Sequence, residues 1–249
     1  MAEAIPDSAI VAVLRPFVRA TRPVLTGLRE SDPFDLRARV LSSDNGERGL
    51  GEKLLDMVAA VEVPGTAAWA AMGVPARSRW WVHRVGRFTT LVAAVPGLGG
   101  AWLSRLPLSK VLGAAGQGLL LVAIAGEHGV HDEEELVKLL GGVMFQRDLT
   151  VRPPSTADDV AADARAAELT GDLDDPGRPP TVRRVANAVW RLGRALLAVE
   201  DELDKRPHGN FLHEGLGMLP VVGAVGKYLG EWSGLKRAAR EAEKRLQSR

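Results

Sequence analysis

Val111-Leu112-Gly113-Ala114-Ala115-Gly116-Gln117-Gly118-Leu119-Leu120-Leu121-Val122-Ala123-Ile124-Ala125 is the stretch whose reading decides the fold. It is apolar around the whole helical circumference, with Ser109 placed to cap its start and Gly126 or Gly129 to close it. Glycine inside a helix costs about 0.5–1 kcal/mol relative to alanine, so Gly113, Gly116 and Gly118 are a local penalty. The usual compensation is close backbone approach, because a smooth glycine face lets helices pack at short range. Length constrains the alternatives. A helix of about 16 residues spans roughly 24 Å, whereas a bilayer core of about 30 Å needs about 20 residues. Lys110 and Glu127 bracket the apolar run closely. A shallow hairpin or a packed core helix therefore fits better than a spanning one.

A preceding helix is expected from Ala76 to Val95. It is basic and aromatic first (Arg77, Arg79, Trp80, Trp81, Arg84, Arg87) and apolar later (Phe88, Leu91, Val92, Val95). Pro96-Gly97-Leu98-Gly99-Gly100 breaks it and makes the first glycine-rich apolar hairpin. A second apolar stretch, Phe211 to Leu229, is interrupted at Pro220, carries Gly223, Gly226 and Gly230, and runs into a basic helix from Gly234 to Arg249. Val95-Pro96-Gly97-Leu98-Gly99-Gly100 and Leu219-Pro220-Val221-Val222-Gly223-Ala224 echo one another weakly, each a helix-breaking proline followed by small residues.

The remaining chain reads as helices and turns. Asp7 or Ser8 caps a helix through Ile10, Val13, Leu14, Phe17 and Val18, which Pro16 and Pro23 are expected to kink or divide. Ser31 to Gly49 is turn-rich, and helical periodicity resumes from Leu50 to Val61. Asp132 caps Glu133 to Gln146, with three glutamates favourable near the positive helix end. Ala157 to Leu169 is a polar, alanine-rich helix. Thr170 to Pro180, dense in Asp, Gly and Pro, reads as a mobile linker, and Thr181 to Leu203 is strongly amphipathic. No stretch sustains apolar–polar alternation. The expectation is an all-α, multi-helix bundle with two glycine-rich apolar helical hairpins, divided into an N-terminal helical segment (1–64) and a helical domain (65–249).

The bulk numbers exclude some function classes. With 46% hydrophobic and 25% charged residues the chain is not disordered throughout. Lysine plus arginine number 32 against 31 acids, too even a balance to attract nucleic acid over the whole surface. Cysteine is absent, which removes disulfides, thiolate metal sites and cysteine nucleophiles and fits a reducing compartment. Met1 to Ile10 has no basic leader and does not read as a signal peptide, so a cytoplasmic location is expected.

Thr89-Thr90-Leu91, Val95-Pro96-Gly97-Leu98-Gly99, Leu106-Pro107 and Ile124-Ala125-Gly126-Glu127-His128-Gly129 together resemble the EcsC family, bacterial proteins named for a gene beside an ABC-transporter operon. The similarity runs from Phe88 to Phe145. His128 stands where the family has an aromatic residue. Leu219-Pro220-Val221-Val222-Gly223-Ala224 is similar to the family's terminal segment before a basic helix. The resemblance implies a helical protein associated with membranes or with transport and secretion, and it brings no catalytic residues.

Candidate sites are accordingly sites of contact. Arg77, Arg79, Trp80, Trp81, Arg84 and Arg87 have the composition of an interfacial anchor, and Lys236, Arg237, Arg240 and Lys244 follow the second hairpin. The alternative is a solvated helix face with aromatic staples. Gly97, Gly99, Gly113, Gly116, Gly223 and Gly226 are the candidate helix-packing positions. Glu127, His128, His131 and Asp132 could bind zinc or iron, yet a helix boundary places polar residues there for capping alone. No metal or other cofactor is expected. His213-Glu214 lacks a histidine four residues after His213, and Gly223-Ala224-Val225-Gly226-Lys227 lacks the first glycine and the hydroxyl residue of a phosphate loop. The leading expectation is a non-catalytic protein peripheral to the cytoplasmic membrane, with a membrane surface or membrane protein as partner and the homo-oligomeric state left open. The alternatives are a soluble interaction or apolar-ligand-binding protein, and a metal-dependent enzyme using His128 and His131.

Overall fold

The computed structural model describes residues 6–30, 67–94, 108–175, 177–178, 180–204 and 223–247. All regular structure among them is helical: α1 (Asp7–Glu30), α2 (Ala67–Ala71), α3 (Val74–Ala94), α4 (Leu108–Glu127), α5 (Glu133–Met144), α6 (Thr156–Thr170), α7 (Val182–Asp204) and α8 (Gly223–Gln247), with a 3-10 turn at Gly171–Asp174. There are no strands among the described residues. The turns expected at Gly97, Gly99 and Pro220, and the helix expected from Leu50 to Val61, lie outside them.

α4 is the central element, packed by α1, α3, α5, α7 and α8. Leu119, Leu120, Leu121 and Ile124 are all at most 1% exposed, as a helix apolar on every side requires. At Leu108–Glu127 it has 20 residues, more than the sequence reading gave it. Its Lys110–Glu127 span is long and apolar enough to cross a membrane, yet 61% of that span is buried inside the protein. A core helix passes the same test of length and composition.

Glycines set how closely the neighbours come. A Cβ on Gly116 would lie 3.1 Å from Thr89 Cγ2 and 3.5 Å from Val85 Cγ1 on α3, and 3.9 Å from Leu235 Cδ2 on α8. One on Gly118 would collide with the Phe17 ring of α1 and press on Leu196 of α7. At Gly113 no atom of the described residues lies within 4 Å of the missing side chain. The tightest approach on α4 instead comes from α7, where Gly193 sits against the backbone carbonyl of Val111. Gly223 and Gly226 fall in the first turns of α8, and their surroundings lie outside the described residues.

Pro16 and Pro23 do not divide α1, which runs unbroken through both. An interior proline removes one helical hydrogen bond and costs about 3 kcal/mol in an isolated helix. Here Ile10, Leu14, Phe17, Val24 and Leu28 are each at most 1% exposed, and that burial against α6, α7 and α5 outweighs the local penalty. α1 thus shares one core with the described helices α2 to α8. Arg19 ties it down further. Its guanidinium donates to Glu133 Oε2 at 2.6 Å, Asp159 Oδ1 at 2.6 Å and Asp163 Oδ1 at 2.8 Å, joining α1, α5 and α6. The hydrogen bond to Glu133, opposed by burial and aided by those to Asp159 and Asp163, holds Arg19 protonated well above its ordinary range.

The segment read as a mobile linker is partly anchored. Its first residues form the 3-10 turn, Leu173 is buried, and Asp172 pairs with Arg184 at 3.2 Å. Arg191 reaches back from α7 to donate to the carbonyls of Leu169 and Thr170 at 2.8 and 2.7 Å, satisfying the end of α6. Gly171, at φ +59°, sits directly beside that guanidinium, a position few side chains could occupy.

Of the expected caps only Asp132 stands ahead of its helix; Asp7 and Ser8 lie inside α1 and Ser109 inside α4. Asp132 accepts from the Glu135 N–H at 2.9 Å. Ser155 and Asp158 form a reciprocal capping box on α6. The Ser155 hydroxyl and N–H hold the Asp158 carboxyl below the usual range. A carboxylate whose folded pKa is lowered adds stability above its ordinary pKa and loses it as pH falls through the folded value. Ser155→Ala is expected to lower Tm by roughly 2–4 °C at neutral pH. That difference should shrink on acidification below the carboxylate range, measured as paired thermal melts at several pH values.

Candidate functional site

Three tryptophans and three arginines gather where α2, α3 and the ends of α1 and α4 meet. Trp69 and Trp80 stand edge to face with centroids 5.1 Å apart, and Trp80 and Trp81 do the same at 5.0 Å. Arg77 lies 5.7 Å over Trp69, Arg84 5.8 Å over Trp80 and Arg29 5.1 Å over Trp81. These are favourable aromatic and cation–π geometries.

The polar edge of the cluster is Glu127. A carboxylate in the last turn of α4 faces the negative end of the helix and needs compensation. Trp81 supplies it by donating its indole N–H to Glu127 Oε1 at 3.0 Å, and Arg77 Nη1 stands 3.6 Å from Oε2. Arg77 also donates to the Trp69 and Ala70 carbonyls, and Arg84 to the Leu28 carbonyl at 2.8 Å. Four of the six residues expected to form an interfacial anchor thus have partners within the protein. Trp81 is fully buried, Trp80 is packed against the core, and Arg77 and Arg84 are engaged inside the protein. Mixed basic and aromatic composition is the same for an anchor and for a packed junction; only the neighbours separate them.

The rest of the basic set faces outward. Along α3, Arg79, His83 and Arg87 recur every four residues on the exposed side. Along α8, Leu235, Ala238, Ala239 and Ala242 are buried while Lys236, Arg237, Arg240 and Lys244 are exposed. Glu241 and Glu243 lie between them, half-buried. α3 and α8 touch each other and converge on Gly116 of α4, so the two basic faces belong to adjacent helices.

The candidate metal ligands do not converge. Glu127 is committed to Trp81 and Arg77, and Asp132 to its cap. His131 is exposed, its Cε1 3.6 Å from where a Gly126 side chain would begin. His128 is half-buried, and its buried Nε2 has no hydrogen-bond partner among the described residues. Among the described residues no group of three or more metal-ligating side chains comes together. Two structural centres escaped the sequence reading, Trp69 and the Arg15–Arg19 pair. The signal for the latter was two arginines four apart on the apolar side of an amphipathic helix. No family model matches the chain, and no curated protein or solved structure matches it.

Proposed function

We propose that this is a non-catalytic, EcsC-like helical protein that attaches peripherally to the inner face of the bacterial cytoplasmic membrane and serves a transport or envelope process. The observation that carries this reading is the pair of adjacent outward basic faces, Arg79, His83 and Arg87 on α3 with Lys236, Arg237, Arg240 and Lys244 on α8. Each basic residue near an anionic surface contributes about 1 kcal/mol, so the four on α8 contribute roughly 4 kcal/mol gross at low salt. Glu241 and Glu243 reduce that sum, and screening within about 10 Å at 0.1 M salt reduces it further. The central place of α4 in the core supports surface attachment over insertion.

Flotation with phosphatidylcholine vesicles, with and without phosphatidylglycerol, tests the reading. The chain should float only with the anionic lipid and be released by salt. Replacing Lys236, Arg237, Arg240 and Lys244 together by glutamine should weaken binding at least tenfold, about 1.4 kcal/mol or more. Equal flotation on both vesicle types, or a variant that binds as well as the parent, would overturn it.

A further inference from the structure

A cleft of about 730 Å³ opens on another part of the molecule, between the first turns of α1, the start of α6 and the residues joining α5 to α6. Its volume is that of a small-molecule site. Pro6, Pro16, Pro153 and Pro154 supply rigid apolar wall, and Arg15, Arg152 and Arg165 line it as well. Arg15 is 6% exposed. One of its Nη groups donates to the Arg152 carbonyl, whereas Nε forms an ion pair with Glu133 Oε1 at 3.5 Å and has no hydrogen-bond partner among the described residues. A guanidinium carries five donors, and leaving one unmet in the interior is unfavourable.

The carboxylates lining the cleft are already committed. Asp7 accepts from Arg147 at 2.7 Å and from the Thr150 N–H at 3.0 Å. Asp158 accepts from the Ser155 N–H and hydroxyl at 3.0 and 2.7 Å. Arg165 pairs with Glu168, but both are largely exposed, and such a pair exchanges readily for a better partner. The cleft therefore joins apolar wall to guanidinium groups whose natural complement is a planar or tetrahedral oxyanion.

We infer that this cleft is a binding site for a small phosphate monoester with an apolar body, its phosphate held by Arg152 and Arg165 and its charge supported by the buried Arg15. This site is separate from the basic faces of α3 and α8, and variants of one leave the other intact. Phenyl phosphate and inorganic phosphate are the probes, titrated into the full chain by calorimetry against sodium chloride at matched ionic strength. Phenyl phosphate should bind, inorganic phosphate should bind more weakly, and Arg152→Ala with Arg165→Ala should weaken both about tenfold or more. Both substitutions are at exposed positions, so melting temperature should stay near that of the parent and exclude unfolding as the cause. Glycerol 3-phosphate and vesicles containing phosphatidic acid distinguish a soluble ester from a lipid headgroup. Binding to either that the double variant loses supports the site. Absence of binding by both phosphate probes, or binding that the double variant retains in full, overturns it.

Discussion

Gly193→Ala is expected to destabilise the protein by about 2–3 kcal/mol, read as a lower urea midpoint with an unchanged slope. On helix propensity alone the substitution should stabilise by up to about 1 kcal/mol. Packing reverses the sign. The added methyl would overlap the carbonyl carbon and oxygen of Val111, which belong to the backbone of α4 and cannot rotate away as a side chain can. α7 and α4 must separate, and the contacts around Leu192 and Leu196, both buried to within 2%, loosen with them. Gly113→Ala is the internal control. It lies in the same region of α4, and no atom of the described residues comes within 4 Å of where its side chain would begin, so it should stabilise by about 0.5–1 kcal/mol. Equal effects at the two positions would refute the close approach as the reason for Gly193.

Trp81→Ala should cost about 3–5 kcal/mol, the range for removing a large, fully buried aromatic side chain. The loss has four parts: the cavity, the edge-to-face contact with Trp80, the Arg29 cation–π contact, and the indole N–H to Glu127. Trp81→Phe separates them. It keeps most of the ring while leaving Glu127, whose side chain is only 9% exposed, with Arg77 at 3.6 Å, and should cost about 1–3 kcal/mol. Pairing Trp81→Phe with Glu127→Gln should recover part of that loss, because a neutral amide tolerates the missing donor better than a carboxylate. Denaturant unfolding of the four proteins measures the coupling as a double-mutant cycle. Neither substitution should alter vesicle flotation. A loss of membrane binding at wild-type stability would return Trp81 to the lipid interface.

Much of the helical plan was legible because it is written locally. The run from Thr181 to Leu203 has a single apolar stripe, and Val185, Val189, Leu192 and Leu196 are buried as that stripe requires. Asp132 followed by three glutamates marks a helix start without reference to anything distant. What was not legible depends on neighbours far along the chain. Pro16 and Pro23 carry a local instruction to break, and α5, α6 and α7 override it. Gly113 and Gly116 look alike in sequence, yet among the described residues only the second lies close to another helix. Trp80 and Trp81 could serve lipid or core equally well by composition, and Trp69 and Glu127, which decide between them, come from other helices. For the site, the basic outward residues of α8 were legible as a group. The cleft beside Arg15 was not, since its walls are brought together from both ends of the described chain up to Arg165.

The Arg19 junction bears on how the molecule is made. Arg19 and Asp159 are 140 positions apart, and Arg19 and Asp163 are 144 apart. At about 5–20 residues per second, the first helix waits roughly 7–30 s on the ribosome before its acidic partners have been synthesised. For that interval its apolar side, Ile10, Leu14 and Phe17 among it, has none of α5, α6 or α7 to rest on. Nascent α1 must therefore hold that apolar side without its native partners until the chain beyond Asp163 has been made.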